Sequence, residues 1–399
     1  MAYIESAGVC LRPFIQRLLP AVAMILAGVA TAAPAGDTGA ASWAREGRPL
    51  PRPEFLQPRL DDALPVYQPC SAQPLRGALE GSVPAILPKL VQGWIGAFQQ
   101  RHPGVRINAP PPYLAPQGAL SPPLRKFLDG GSDFALVSRD MTASDVAAFQ
   151  RAHGVPPQPV PVVGGAWRHF GFVDAIGVVV NETNPVKALT LEQLDAVFSK
   201  SRLRGHGPVR TWGDLGVAAW ADRPVRVVGA ASWRGAEASA RAVVMQERVL
   251  SVGEARGQWR DDIAVRGTEA DVPDQVAADP YAIGFTGMGH LVAGIRTVAL
   301  AQEPDSVAVD ATYEDVALAR YPLARVAYLV PARIAGRSVD PVLREFIRFI
   351  LSRDGQRIVL EQGVMLPLRA PQTAAALHLL GGEPDACGPP EVNSREMPQ

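Results

Sequence analysis

Three short segments of this 399-residue chain place glycine, hydroxyl or arginine residues just before a helical pattern. A helix N-terminus exposes unpaired N–H groups and carries the positive end of the helix dipole. A hydroxyl adds another hydrogen-bond donor, and an arginine adds a charged fork of donors. Together the three segments predict a site for a small oxyanion. The candidate ligand-binding residues are Gly81, Ser82, Ser138, Arg139, Ser232, Arg234 and Gly235.

The candidate residues also have structural interpretations, and the sequence contains no motif for metal binding or catalysis. Ser82 is a candidate helix cap, whereas Arg139 and Arg234 are candidates for surface salt bridges. The six histidines show no metal-ligand spacing, and the sequence contains no H-E-x-x-H, paired C-x-x-C, P-loop or G-x-S-x-G motif. We therefore predict a binding protein without a cofactor or metal, and an exported enzyme is the weaker alternative.

The elements that must position these residues alternate between helix-like and strand-like patterns. Apolar residues recur with helical spacing over residues 87–98, whereas residues 175–180 form a continuous apolar run typical of a strand buried on both faces. Thr190 and Gln193 form a capping-box pattern, and Asp340 precedes a proline at the predicted start of the last major helix. The alternation favours an α/β fold.

Composition and charge limit the possible functions. An apolar content of 47% over 399 residues is enough for a large core, and the length favours two domains. The 39 basic and 39 acidic residues balance, which argues against nucleic-acid binding through a general basic field. A local anion site needs only a few aimed donors and is compatible with zero net charge. No oligomer interface is indicated, so we expect a monomer.

The N-terminus has the pattern of an export signal. Basic residues precede an apolar run over residues 18–29, and a small-residue cleavage site follows and ends near Ala32. The run is about a dozen residues long, whereas a membrane-spanning helix needs ~20. We expect cleavage near Ala32 and a periplasmic protein, with an uncleaved membrane anchor as the alternative. In that oxidising compartment Cys70 and Cys387 either form a disulfide or stay as two thiols.

Several motifs follow one another in an order that points to a known family. They are Gly81-Ser82, Ser132-Asp133-Phe134-Ala135, Ser138-Arg139-Asp140-Met141, Asp174-Ala175-Ile176-Gly177, Thr211-Trp212-Gly213-Asp214, Tyr321-Pro322-Leu323-Ala324-Arg325 and Leu351-Ser352-Arg353-Asp354-Gly355-Gln356. In this order, and over most of residues 75–368, the chain resembles the phosphate-binding subunits of ABC transporters.

The resemblance implies a type II periplasmic-binding-protein fold, in which hinge strands join two α/β lobes and the ligand lies in the cleft between them. It also implies that residues 175–180 and the region near residues 283–286 carry the chain between the lobes. Together with the composition of the terminal segments, it predicts the following division: a signal peptide (1–32), a Pro/Gly/Ala-rich arm (33–71), a first lobe (72–173 and 284–380), a second lobe (174–283) and a tail (381–399).

The function implied by the resemblance is capture of phosphate or a related oxyanion and its delivery to an ABC transporter permease. Two departures from the family pattern concern the ligand segments: Val83-Pro84 follows Gly81-Ser82, and Arg234-Gly235-Ala236 stands where the family has Ser-Gly-Thr. Each lost hydroxyl would cost about 1–3 kcal/mol if a ligand oxygen stayed unpaired. Arg234 is a candidate replacement for these donors. The alternative is a divergent module with a degraded pocket, used for sensing or protein interaction.

Overall fold

The structure is a computed structural model of the chain. It describes residues 59–70, 73–84, 87–110, 122–141, 143–168, 173–230, 234–245, 257–266, 268–333 and 338–380. The predicted signal peptide, most of the predicted arm, Ser232, Cys387 and the tail lie outside these residues, so the corresponding predictions stay predictions. Among the helices that are described, none is long and apolar enough to cross a membrane.

Strands and helices alternate over much of the described chain, as the sequence pattern predicts. The strands are β1 (Arg76–Ser82), β2 (Gly104–Asn108), β3 (Phe134–Val137), β4 (Val160–Gly164), β5 (Ile176–Asn181), β6 (Ala188–Thr190), β7 (Arg226–Ala230), β8 (Ala264–Arg266), β9 (Ala282–Gly287), β10 (Ile295–Thr297), β11 (Ala299–Ala301) and β12 (Val326–Pro331). The helices are α1 (Pro88–Arg101), α2 (Pro122–Leu128), α3 (Ala143–His153), α4 (Leu191–Phe198), α5 (Arg234–Val244), α6 (Val272–Ala278), α7 (Tyr313–Ala317), α8 (Pro341–Leu351), α9 (Arg353–Gln362) and α10 (Ala370–His378).

The starts of α4 and α8 follow the predicted local signals, whereas the start of α1 does not. The Thr190 side chain accepts a hydrogen bond from the Gln193 amide, which confirms the capping box at α4. Asp340 caps α8 by accepting from two amides of its first turn, as predicted. The prediction that Ser82 caps α1 is wrong, because Ser82 ends β1 and the cap position is Leu87, which makes no side-chain cap bond. The proline at position 88 supplies the helix start instead.

The first sheet has the strand order β2-β1-β3-β12-β4. β1 runs parallel to both β2 and β3, whereas β12 is antiparallel to β3 and β4. Helix α1 buries an apolar face against this sheet, and the ring of its Phe98 lies 5.2 Å from that of Phe346 in α8. The first core therefore joins residues near the start of the described chain to residues near its end.

The second sheet has the order β10-β5-β9-β7-β8, and β6 pairs separately with β11. Every residue of β5 is buried, as the continuous apolar run predicts. β7 runs parallel to β8 and β9, and β5 lies antiparallel to β9. The chain has two sheets, each with its own hydrophobic core, and this confirms the predicted α/β class with two α/β lobes. We call them the first and the second lobe.

The structure moves one boundary of the predicted division. Residues 284–323 were assigned to the first lobe, but β9, β10 and residues as far as Leu323 belong to the second sheet and core. The region near residues 283–286 lies inside β9 and is not a crossing point. The chain crosses before β5 and returns just before β12. The two crossing segments bind each other, since the Gly165 amide donates to the Arg325 carbonyl at 2.8 Å and the Ile176 amide to the Leu323 carbonyl at 3.1 Å.

Candidate functional site

The carboxyl ends of two parallel strands form the first part of the candidate site. β1 and β3 are parallel, with Gly81 opposite Phe134, so the segments that follow both strands leave the same edge of the first sheet. Ligands of open α/β sheets bind outside the carboxyl ends of the strands. Two predicted ligand segments, ending β1 and following β3, therefore lie at the edge where a ligand is expected.

Gly81 and Ser82 both have structural contacts inside the first lobe. A Cβ on Gly81 would lie 2.3 Å from the Cζ atom of Phe134, so packing of that ring requires a glycine. Ser82 is 3% exposed, and its hydroxyl lies 3.2 Å from the hydroxyl of Ser132. The Ser82 hydroxyl is thus engaged with the protein, and its contact with an anion stays a prediction.

Arg139 is held in place by a carboxylate from the next helix. Its Nη1 donates to Oδ2 of Asp145, in the first turn of α3, at 2.6 Å and to the carbonyl of Asp140 at 2.9 Å. Asp145 is 4% exposed, whereas the Arg139 side chain is 22% exposed. The salt-bridge interpretation therefore describes one nitrogen of Arg139. A guanidinium has five N–H donors, and the donors on Nη2 and Nε are not part of these two bonds.

The third predicted segment lies at the start of α5 in the second lobe. Arg234 and Gly235 are the first two residues of this helix, which follows the carboxyl end of β7. β7 lies between β8 and β9 and is parallel to both, so this helix also begins at the carboxyl edge of its sheet. The backbone N–H groups of the first turn are available donors in any such helix. Each lobe therefore contributes predicted ligand residues from an equivalent edge.

Arg325 links the predicted ligand segment Ser138–Arg139 of the first lobe to the crossing segments. Its Nη2 donates to the carbonyl of Ser138 and its Nη1 to the carbonyl of Asp174, both at 3.4 Å. Its Nε is buried and has no hydrogen-bond partner among the described residues. Burial lowers the pKa of this guanidinium, and the nearby charges of Asp174 and Glu269 oppose that effect. We refer to Arg325 and the charged groups around it as the junction cluster.

Asp174 is the buried carboxylate of the junction cluster. Its Oδ2 accepts a hydrogen bond from the Gly289 amide at 2.8 Å. A Cβ on Gly287 would lie 2.5 Å from the same oxygen, so the carboxylate requires a glycine there. Burial raises the pKa of Asp174, whereas the Gly289 bond and the charge of Arg325 lower it. The acidic group is thus placed next to Arg325 at a cost in desolvation.

Glu269 and His290 are residues of the second lobe that belong to the junction cluster. Glu269 opens the 3₁₀ turn Glu269–Asp271, and its carbonyl accepts a hydrogen bond from the hydroxyl of Thr286 in β9 at 2.9 Å. Its Oε1 lies 3.9 Å from Nε2 of His290. Burial and the charge of Asp174 raise the pKa of Glu269, whereas the charge of Arg325 lowers it. The junction cluster therefore joins charged groups from both lobes and both crossing segments.

The sequence contained Arg325 and Asp174 within family motifs but did not assign them to a site. A usable signal was present, because each is a charged residue immediately beside an apolar run that becomes a strand. Glu269 carried no such signal, and His290 was noted only as one of six histidines without metal-ligand spacing. Its buried position in the cluster depends on the folding of β9 back toward the crossing segments.

Two further predictions concern metals and cysteines. Among the described residues, no group of three or more His, Cys, Asp or Glu side chains is arranged to hold a metal ion. Cys70 lies among the described residues, at the end of the segment that precedes β1. Its predicted partner, Cys387, lies outside the described residues, so that pairing stays a prediction.

Comparison with known proteins places this geometry in context. Residues 72–354 match the family described as a PBP superfamily domain. The phosphate-binding protein PstS of Pseudomonas aeruginosa is 30% identical over 324 residues, which cover 81% of this chain and 92% of that protein. An ABC-type phosphate transport receptor from Vibrio cholerae has 18% identity and a TM-score of 0.45, with 73% of this chain and 100% of that chain covered. PstS from Borrelia burgdorferi gives 18% identity and a TM-score of 0.45, with 73% and 99% covered. The family match and the 30% identical relative span segments of both lobes.

Proposed function

Since the chain belongs to the PBP superfamily domain family and has the type II periplasmic-binding-protein fold, we propose that it captures phosphate or a related oxyanion between its lobes. The relative with 30% identity is named a phosphate-binding protein. Hinge closure of two lobes on a ligand is a known mode of capture in this architecture.

One structural observation carries the proposal. Arg325 binds the carbonyl of Ser138, next to Arg139, and lies close to the charge of Glu269 from the second lobe. The ligand segment of the first lobe therefore lies beside groups of the second lobe. We propose that an anion bound by the Ser138–Arg139 segment also contacts the helix N-terminus at Arg234.

The departures at the third segment define the role that we propose for Arg234. Two family hydroxyls are missing at Arg234-Gly235-Ala236, and each missing partner would cost about 1–3 kcal/mol in a desolvated site. A guanidinium offers two parallel donors to an oxyanion and offsets that loss. Replacement of Arg234 by Ala is expected to lower the affinity for phosphate at least about 100-fold, measured by isothermal titration calorimetry. Unchanged affinity would remove Arg234 from the site.

Export, delivery and the disulfide belong to the same proposal. We propose a periplasmic protein that passes its ligand to an ABC transporter permease and contains a Cys70–Cys387 disulfide. The signal-like N-terminus supports export, and an exported chain with two cysteines after the cleavage site can form a disulfide. Mass spectrometry of the secreted protein under non-reducing conditions tests both parts: a mature N-terminus near residue 33 and a linked peptide pair are expected, and an intact N-terminus contradicts export with cleavage.

A second candidate function has its own supporting observation. One nitrogen of Arg139 is already bound to the buried carboxylate of Asp145, and Arg234-Gly235-Ala236 lacks the family hydroxyls. Both features favour a divergent module, used in sensing or protein interaction, whose pocket no longer holds an anion tightly.

Titration calorimetry with phosphate, sulfate, phosphonates and arsenate separates the two candidates. Binding of phosphate at micromolar concentration or tighter, together with a ligand-dependent decrease in the radius of gyration, supports the transport receptor. Absence of heat across the whole panel, with a folded protein, supports the divergent module and overturns the proposal of anion capture.

A further inference from the structure

Carboxylates outnumber fixed positive charges in the junction cluster. Asp174, Glu269 and Asp140 all act electrostatically on Arg325, which is one guanidinium. The Asp140 carboxylate also accepts a hydrogen bond from the hydroxyl of Tyr328 at 3.0 Å. His290 adds a positive charge only when it is protonated. The described cluster is therefore rich in negative charge at the place where both lobes meet.

An anion bound at the neighbouring Ser138–Arg139 segment would add to this negative charge. Arg325 contacts the carbonyl of Ser138 directly, so few side chains separate the proposed ligand from the carboxylates. Like charges in a partly desolvated site repel each other far more strongly than in bulk water. The repulsion disappears if one carboxylate takes up a proton when the anion arrives.

Glu269 is the carboxylate best placed to take up that proton. Its side chain is 37% exposed, so it exchanges protons with solvent, whereas Asp174 is 6% exposed and is bound by the Gly289 amide. Glu269 also comes from the second lobe, so closure of the lobes on a ligand would reduce its access to water. Both effects favour its neutral form in the closed, occupied protein.

We propose that anion capture by this chain is coupled to uptake of one proton at Glu269. This inference rests on the proposed function, because it needs an anion in the cleft. The proton neutralises Glu269 as the anion binds, and it is released to solvent when the lobes open and the anion leaves. The chain thus binds an anion and a proton together.

The charged groups that face Glu269 set the direction of the coupling. They are Asp174 beside β5, Arg325 before β12 and His290 after β9. Asp271 lies on the same 3₁₀ turn as Glu269, and its carboxylate accepts a hydrogen bond from the Thr268 amide. Burial and the charge of Asp174 already raise the pKa of Glu269. A bound anion raises this pKa further, so proton uptake occurs between the two pKa values. Affinity therefore increases as the pH falls through that window, by at most about tenfold per pH unit for one proton.

Calorimetry on the mature, full-length chain tests the coupling. Phosphate is titrated between about pH 5 and pH 6.5, above the ordinary pKa of Glu, in buffers that differ in ionisation enthalpy. The buffer dependence of the heat gives the number of protons taken up. The same series on Glu269→Gln removes the titrating group while its neutral amide resembles the protonated carboxyl. Glu361→Gln, at an exposed position of α9, is the matched control.

Three results decide the matter. The first result is the expected one: on binding phosphate, wild type and Glu361→Gln take up as much as about one proton more than Glu269→Gln does. Glu269→Gln then also binds phosphate more tightly than wild type at the upper end of the pH range. Equal proton uptake in wild type and Glu269→Gln overturns the assignment, because phosphate itself titrates equally in both. Binding with this equal uptake leaves the proposed function standing. Absence of binding to any anion overturns the proposed function and the inference with it.

Discussion

The C-terminal helices and the junction cluster both contain polar side chains that reach into the protein interior, and they differ in how these groups are satisfied. Gln356 in α9 is fully buried, and its Nε2 donates to the carbonyls of Val162 and Ile350 at 3.0 and 2.9 Å. Its Oε1 accepts from the Leu368 amide at 2.7 Å. Arg325 makes two bonds, both at 3.4 Å, and its buried Nε has no partner among the described residues.

The difference indicates which of the two regions stabilises the fold and which one can respond to a ligand or a proton. A buried polar group with short bonds on every side locks one packing arrangement. A cluster whose arginine makes long bonds, and in which the carboxyl pKa values of Asp174 and Glu269 are raised, is held in a less favourable state, and such places are concentrated at functional sites. The C-terminal region therefore supports the first lobe, whereas the junction cluster is suited to respond to a ligand or a proton.

The largest expected effect concerns Gln356, in the C-terminal region that stabilises the first lobe. Gln356→Ala leaves two carbonyls and one amide unpaired in the core, at about 1–3 kcal/mol for each unpaired group. We expect the free energy of unfolding to fall by about 3–5 kcal/mol, measured by urea denaturation. Gln302→Ala, at an exposed position, is the control. A loss of less than about 1 kcal/mol would show that the Gln356 network is not the stabilising element we infer.

The next effect concerns affinity at the junction. Arg325→Met removes the donor to the Ser138 carbonyl and the counter-charge of Asp174 and Glu269. We expect phosphate affinity to fall about 10- to 100-fold, because a hydrogen bond with a charged partner contributes about 1.5–3 kcal/mol. Calorimetry checks this value.

Arg325→Lys and Arg357→Met sharpen that test. The lysine keeps the charge without the fork and is expected to recover part of the affinity, whereas removal of the exposed Arg357 is expected to have no effect. A folded Arg325→Met variant with wild-type affinity would show that the cluster does not position the ligand segment.

A smaller effect concerns the helix cap at Asp340, which depends only on residues close by in the sequence. The Asp340 carboxylate accepts from the amides of Val342 and Leu343 at 2.8 and 3.1 Å. Asp340→Ala is expected to lower the free energy of unfolding by about 1 kcal/mol without changing phosphate affinity. The exposed Asp305→Ala serves as the control, and a change in affinity would contradict the separation between scaffold and junction.

The smallest effect concerns the stability of the empty protein and its pH dependence. The pKa of Glu269 is raised by folding, so its ionised form lowers stability at neutral pH, and this cost disappears as the pH falls through the raised pKa. Because the side chain is partly exposed, Glu269→Gln is expected to raise the melting temperature at pH 7 by only about 1–2 °C. The gain should vanish near pH 4, about the ordinary pKa of Glu. Differential scanning calorimetry measures it, and a gain that persists in acid would contradict the assigned cause.

Much of the scaffold was predictable because its signals are local. Apolar periodicity predicted α1 and β5, and the caps at Thr190 and Asp340 depend on residues two or three positions away. The order of motifs predicted the family, which the match over residues 72–354 confirms. Ser82 was wrongly predicted as a cap, because β1 continues to Ser82 by pairing with β3, a contact that local sequence does not encode.

The candidate site was predictable only where its residues follow strands. Ser138, Arg139, Arg234 and Gly235 lie at carboxyl edges for that reason, although their ligand contacts stay predictions. Arg139 also binds Asp145 within the same short segment, which the sequence suggested only as a general salt bridge. The family resemblance implied a return crossing near residues 283–286, but β9 pairs with β5 and β7 inside the second sheet instead.

The sequence by itself determined the α/β alternation, the helix caps and the family, because these depend on periodicity and on neighbours within a few residues. Only the tertiary structure decided that Arg325, Asp174 and Glu269 meet, since Arg325 and the Asp174 carbonyl are 151 positions apart. The two crossing segments bring them together, and packing between lobes sets the exposure and pKa of each group. Electrostatic energy depends on distance and desolvation, and both exist only once the chain has folded.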